Sequence, residues 1–179
     1  MKPLKSKRAE QATATPRPMI PTTAPAGRLK LKLVRSRLAK SRGALKKRLT
    51  RLLQELWQAH RAPAAEVEVH FIDEPAMCAL HEQFLQDSSP TDIITFDLGM
   101  MPGQRRLASL CICPAVAQRH ARRFKTTLSR ELDRLIIHGV LHLLGYEDHE
   151  PALRRRMRIH ENKILTQLVH RPKPGKLST

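Results

Sequence analysis

The stretch that decides how this chain is interpreted is residues 138–149, HGVLHLLGYEDH. In its helical first part, His138 and His142 are four residues apart, so both rings project from one face about one turn apart. Gly145 is typical of a helix end, and the chain can then turn back to present His149. Three histidines so placed can hold one zinc ion and leave a fourth position for water, the arrangement of catalytic sites. We therefore predict a zinc site, and the catalytic centre, at His138, His142 and His149.

Gly139 is the residue in this stretch that most needs an explanation. Two histidines four residues apart on a helix also occur by chance, but a glycine inside a helix costs about 1 kcal/mol relative to alanine, so a packing or functional reason is expected. We expect the small residue beside His138 to leave open space near the metal. Common zinc peptidases carry a glutamate at the position of Gly139, and its absence argues against peptidase activity.

Positive charge is concentrated at the start of the chain. The net charge is +17 over 179 residues, and residues 1–51 contribute 16 Lys and Arg against one acid, Glu10. Such a segment can be a solvated, disordered leader or an arm that binds nucleic acid by releasing counterions, and the two interpretations are compatible. The prolines of residues 1–27 favour a tail and argue against the amphipathic helix of an organelle transit peptide.

The remaining composition indicates a protein of a reducing compartment. The three cysteines, Cys78, Cys111 and Cys113, have no Cys-x-x-Cys spacing and are expected to be small buried side chains. The chain contains no run of 18 apolar residues, so no transmembrane helix is expected. Its front end lacks the apolar segment of a secretion signal.

Hydrophobic patterning predicts an α+β (mixed α/β) fold, with a four-stranded mixed sheet and about five helices in a single domain. The strands are predicted at 29–34, 66–72, 91–98 and 107–113, with a loop at 99–106 and a central place for the last strand. The helices are predicted at 41–57, 73–85, 114–124, from Thr127 or Ser129 to 145, and 151–169. We expect a basic, proline-rich disordered tail at 1–27, a metal-binding domain at 28–170 and a flexible tail at 171–179.

Other polar residues have two interpretations each. Thr91 and Asp92 can line the cleft, or form a turn in which Asp92 bonds its own backbone. The arginines of the last helix are interpreted as a solvated face in preference to an RNA contact; they are Arg154, Arg155, Arg156 and Arg158. The histidines outside the central stretch are expected to be surface or packing residues.

The central stretch, His138-Gly139-x-x-His142-Leu143-x-Gly145-Tyr146 followed by Asp148-His149, resembles the signature of the YbeY family. A second similarity is Pro90-Thr91-Asp92-Ile93-Ile94-Thr95-Phe96, and the resemblance continues in order from residue 29 to residue 169. It implies the family's mixed sheet with helices and a zinc ion held by three histidines. It also implies a cytoplasmic, single-strand-specific endoribonuclease of ribosomal RNA maturation and ribosome quality control, with ribosomal RNA, the ribosome or a ribosomal protein as partner and no membrane.

This chain departs from the family pattern at three positions. Six residues separate His142 from His149 where the family has five, so by strict count Asp148 occupies the ligand position, and a carboxylate can bind zinc. We favour His149 because it completes the set of three imidazoles. An arginine that many members carry corresponds to Leu85, and an acid of the fourth strand corresponds to Ser109.

Two other functions remain open from the sequence. One is a non-catalytic ribosome-assembly or RNA-binding factor with a structural zinc ion, which would depend on residues 1–51. The other is a metal-dependent hydrolase of another phosphoester or amide.

Overall fold

The computed structural model describes residues 27–34, 42–102 and 105–170. Within these ranges the chain forms four strands and five helices, which confirms the predicted fold class. In chain order they are β1 (Leu29–Val34), α1 (Arg42–Ala59), β2 (Ala65–Phe71), α2 (Glu74–Leu85), β3 (Ile93–Met101), β4 (Arg105–Ile112), α3 (Pro114–Arg123), α4 (Leu128–Leu143) and α5 (Pro151–His170). The tails predicted at 1–27 and 171–179 lie outside the described residues apart from Gly27, as does Ser41, the first residue of the helix predicted at 41–57.

The four strands form one mixed sheet in the order β1-β2-β4-β3. β1, β2 and β4 are parallel, and β3 is antiparallel to β4. A parallel pair needs a long crossover, which α1 provides between β1 and β2, whereas β3 and β4 are joined as a hairpin. Leu110 and Ile112 of β4 are fully buried, so the continuous apolar run of this strand correctly predicted its place inside the sheet.

The β3–β4 hairpin is longer than the sequence predicted. A loop was expected at 99–106, but pairing continues to Met101 opposite Arg105. Gly99 has a φ of 81° and lies at a bulge in β3, where its N–H donates to Asp97 Oδ1 at 3.1 Å. The bulge absorbs one residue and lets the ladder resume beyond it. The predicted loop was therefore too long, because the bulge at Gly99 lets the strand pairing continue beyond the glycine.

Helix α4, which carries His138 and His142, is deeply packed. Leu135, Ile136, Ile137, Val140 and Leu141 are all at most 1% exposed and belong to the main hydrophobic core, which includes residues of the sheet and of α1. Fully burying one such side chain contributes about 1.5–3 kcal/mol. The backbone that carries the two histidines is therefore firmly held.

None of the described helices combines the length and the apolar character that crossing a membrane requires.

Candidate metal centre

His138 and His142 lie on the half-buried face of α4. The helix starts at the cap Thr127, whose hydroxyl accepts from the N–H of Arg130 at 3.2 Å, and ends at Leu143. The two imidazole rings are perpendicular with centroids 4.6 Å apart, and their Nε2 atoms are 3.1 Å apart. The helical spacing thus brings the two nitrogens together as predicted.

The outer nitrogens of both rings are already occupied. His138 Nδ1 donates to Glu161 Oε1 at 2.6 Å, and His142 Nδ1 donates to the carbonyl oxygen of Tyr146 at 3.0 Å. With the protons on Nδ1, both neutral rings turn an Nε2 lone pair toward the other, which is repulsive unless a cation lies between them. Two nitrogens that each lie about 2.0–2.1 Å from a tetrahedral zinc ion are roughly 3.3 Å apart. The pair therefore fits a metal ion.

The third group that the structure brings to this pair is Asp148. Its Oδ2 is 3.8 Å from His138 Nε2, and its Oδ1 is 3.8 Å from His142 Nε2. These three residues form one of two described groups whose ligand atoms could hold a metal ion. The arrangement differs from the sequence expectation, in which His149 was favoured over Asp148.

His149 points away from this group. Its side chain is 62% exposed, and its Nδ1 lies 3.0 Å from Glu147 Oε2. Asp148 and His149 are adjacent residues in the short chain between α4 and α5. Adjacent residues of such an extended turn project in different directions, so the ring of the following residue faces solvent.

The loop that carries Asp148 is fixed at both ends. Gly145 has a φ of 87°, and its N–H donates to His142 O at 2.9 Å, which confirms it as the end of the helix. The Tyr146 hydroxyl hydrogen-bonds His60 Nε2 at 3.0 Å. At the other end, Arg154 Nε donates to the carbonyl oxygen of Asp148 at 3.1 Å.

Burial also prepares His142 for binding a metal. Desolvation lowers the pKa of its imidazole below the ordinary value, and the neighbouring His138 lowers it further. A lowered pKa keeps the ring neutral, which is the form that binds a metal.

Two supporting residues were missed by the sequence interpretation. Glu161 on α5 is only 5% exposed, and Arg134 on α4 lies 3.9 Å from its Oε2. The available signal was position, since Glu161 falls one helical turn after Met157 on the inward stripe of α5. A glutamate on such a stripe is almost never fully buried unless it is paired.

The second described group of possible ligands is Asp92, His120 and Glu131. Asp92 Oδ2 lies 3.0 Å from His120 Nδ1, and it lies 3.4 Å from Arg134 Nη2, which is also 2.7 Å from Glu131 Oε1. The guanidinium already supplies this group with a cation. The Asp92 carboxylate thus contacts the side chains of His120 and Arg134. The half-buried Thr91 precedes it, just before β3.

A family model described as Endoribonuclease YbeY matches residues 34–169. The chain belongs to the YbeY family. Curated relatives named Endoribonuclease YbeY include a Thermobifida fusca protein, 37% identical over 66% of this chain and 82% of the relative. Another, from Chlorobium luteolum, is 38% identical over 67% of this chain and 86% of the relative. The predicted family is confirmed.

Two further comparisons bound what this similarity covers. A Corynebacterium efficiens relative of the same name is 33% identical over 63% of this chain, and this chain covers 66% of that relative, just under two thirds of its length. The solution structure of TM1509 from Thermotoga maritima has a TM-score of 0.52 and 24% identity, and the match covers 83% of this chain and 99% of that one. This likeness shows the shared fold.

Gly139, in the YbeY signature, has a different role from the one expected. A Cβ at this position would lie 2.7 Å from Leu110 Cδ2 and 3.0 Å from Thr95 Oγ1. The expected open space beside the metal was wrong, because side chains of β3 and β4 already fill the space next to this glycine. It lets the helix lie against β3 and β4.

Proposed function

We propose that this YbeY-family chain is a zinc-dependent endoribonuclease that cuts single-stranded segments of ribosomal RNA in the cytoplasm. We assign the zinc ion to His138, His142 and Asp148. The observation that carries the proposal is the 3.1 Å approach of two Nε2 atoms whose rings both donate from Nδ1 to oxygen. A side chain or carbonyl that fixes the second nitrogen of a histidine in this way is typical of metal sites.

The protein's own residues prepare the site for this chemistry. When bound, zinc polarises a phosphoryl oxygen and makes water a usable nucleophile near neutral pH. Glu161 holds the proton of His138 on Nδ1, and the Tyr146 carbonyl does the same for His142, so each Nε2 keeps its lone pair. Asp148 adds a carboxylate whose side chain is 39% exposed, which leaves the open side of the group accessible to solvent and substrate.

Two properties of the chain support RNA as the substrate. Relatives that are 33%, 37% and 38% identical to it over the aligned residues are named Endoribonuclease YbeY. Residues 1–51 carry 16 Lys and Arg against one acid, a balance that favours a polyanionic partner such as the ribosome.

The test is cleavage by the purified full-length chain loaded with one equivalent of zinc. We expect it to cut a single-stranded RNA and to spare the same sequence in a duplex, and we expect EDTA or His142→Ala to abolish cutting. His81→Ala is the matched control, because His81 is half-buried on α2 and hydrogen-bonds only Ser89 O among the described residues. Equal cleavage by His142→Ala and the wild type would refute the proposal.

The charge at the start of the chain also favours a second function, a ribosome-assembly factor in which the metal serves structure. This function predicts ribosome association that persists when cleavage is absent and that is lost on neutralising the basic residues of 1–51. Sedimentation of the full chain with ribosomal subunits, with and without zinc, separates it from the nuclease. Association that needs those basic residues, combined with no cleavage by the zinc-loaded chain, would favour the assembly factor.

A further inference from the structure

A cavity of about 120 Å³ opens beside the histidine pair between α4 and α5. Three of its seven lining residues are arginines, and two are acids; the set is Arg134, His138, Asp148, Arg154, Met157, Arg158 and Glu161. A concave site that gathers like charges is costly unless each charge has a partner. The partners of the three arginines therefore decide what the cavity can bind.

Arg134 has carboxylate partners within the fold. Its Nη2 lies 2.7 Å from Glu131 Oε1 and 3.4 Å from Asp92 Oδ2, and its Nη1 lies 3.9 Å from Glu161 Oε2. Its charge is thereby neutralised within the fold, although it lines the cavity.

The two arginines of α5 are different. Arg154 donates from Nε to the carbonyl oxygen of Asp148, and its two terminal nitrogens take no part in that bond. Arg158 is exposed and makes no side-chain hydrogen bond or ion pair with another residue in the described part of the chain. The two are four residues apart, so they lie on the same face of the helix, one turn apart.

We propose that Arg154 and Arg158 form a phosphate-binding wall that holds the RNA backbone next to the metal centre. The proposal rests on the proposed function and names the groups that would position its substrate. A guanidinium is a planar fork of donors that fits phosphate oxygens in a bidentate manner and stays charged at every physiological pH. Two guanidinium groups that line a cavity beside the histidine pair can bind the phosphates on either side of the bond to be cut.

The four arginines of α5, which were predicted to form one solvated face, differ in their places around the cavity. Arg155 and Arg156 are on the same helix but do not line the cavity, and Arg156 stacks over the Tyr146 ring at 5.9 Å. Arg155 is exposed, so Arg155→Ala removes the same charge from the same helix without changing the cavity. It is the matched control for Arg158→Ala.

The experiment measures binding apart from cleavage. Fluorescence anisotropy of a labelled single-stranded RNA of about five nucleotides is recorded with the full-length chain in EDTA, over a range of salt concentrations. We expect Arg158→Ala to weaken binding about tenfold and to reduce the slope of log K against log salt by about 0.7 for each phosphate that the variant no longer binds. Arg155→Ala is expected to change the affinity less than about twofold.

Two results would overturn the phosphate wall. One is equal weakening by Arg158→Ala and Arg155→Ala, which would show that only overall charge matters. The other is unchanged binding in both variants. If the wild type binds RNA with the expected difference between variants but never cuts it with zinc bound, the nuclease proposal fails and the binding wall stands. If the wild type cuts RNA normally but Arg158→Ala and Arg155→Ala bind it with equal affinity, the phosphate wall fails and the nuclease proposal stands.

Discussion

Nδ1 of His138 lies 2.6 Å from Oε1 of Glu161, a carboxylate that is only 5% exposed. Glu161 therefore joins α5 to the histidine pair on α4 and fixes the ring that carries the facing Nε2. A buried carboxylate on the second nitrogen of a histidine also raises the basicity of the first nitrogen. The centre thus depends on a residue that is not itself a proposed ligand.

Glu161→Gln is expected to weaken zinc binding by about 10- to 100-fold, because the side chain keeps its shape but loses the charge that holds the imidazole. Competition against a chelator of known affinity measures this change. Glu150→Gln is the control, since the side chain of Glu150 is 66% exposed. A zinc affinity of Glu161→Gln equal to that of the control would show that the ring is held without help from Glu161.

Gly139→Ala is expected to destabilise the fold by about 1 kcal/mol. The gain in helix propensity is about 1 kcal/mol, but the new methyl group would lie 2.7 Å from Leu110 Cδ2 in a packed core, and overpacking costs about 1–3 kcal/mol. Urea denaturation measures the free energy of unfolding.

The same substitution in a Leu110→Val background separates packing from other causes. Valine has no Cδ atoms, so the closest approach is relieved while the 3.0 Å approach to Thr95 Oγ1 remains, and Gly139→Ala should be clearly less destabilising there than in the wild type. Equal destabilisation in both backgrounds would mean that the close approach to Leu110 does not explain the glycine.

Glu66 on β2 is expected to make stability depend on pH in acid. A hydrogen bond from Lys32 lowers the pKa of its carboxyl below the ordinary value of 4.5, and Lys30 and Arg105 lie 3.6 and 3.4 Å away. Because the pKa is lower in the folded state, the stabilisation is full above about pH 4.5 and is lost as the pH falls through the folded pKa.

Thermal unfolding of Glu66→Gln at several pH values tests this. The variant should be less stable than the wild type at pH 7, and the difference should shrink as the pH falls below 4.5. Glu68→Gln, whose side chain is 39% exposed and lies 3.4 Å from Lys32, should show a smaller difference. A constant difference for Glu66→Gln at every pH would contradict the ionic explanation.

Most of the fold could be predicted because its local signals agree with one another. Asp73 caps α2 and accepts from the N–H of Ala76, and the alternation in β1 and the apolar run in β4 match their places in the sheet. The hairpin could not be bounded from the sequence, since a glycine at a bulge and a glycine at a turn look the same along the chain. The bulge at Gly99 depends on pairing with β4, which only the folded sheet provides.

The site was partly predictable for a similar reason. His138 and His142 are related by the helix repeat, so their proximity follows from local geometry. The choice between Asp148 and His149 depends on the direction of a short loop, which is held by hydrogen bonds of Tyr146 to the distant His60 and of Arg154 to Asp148. Glu161 comes from another helix, and no local pattern joins it to His138.

The most direct test of the account is the zinc affinity of Asp148→Ala against that of His149→Ala, each measured by chelator competition on the purified full-length chain. Removing a metal ligand should cost more than removing a supporting residue, so Asp148→Ala should bind zinc about 100-fold more weakly or worse. His149→Ala should bind with nearly the affinity of the wild type, since its ring is 62% exposed and faces Glu147. Loss of zinc in His149→Ala with normal binding in Asp148→Ala would contradict the proposed centre.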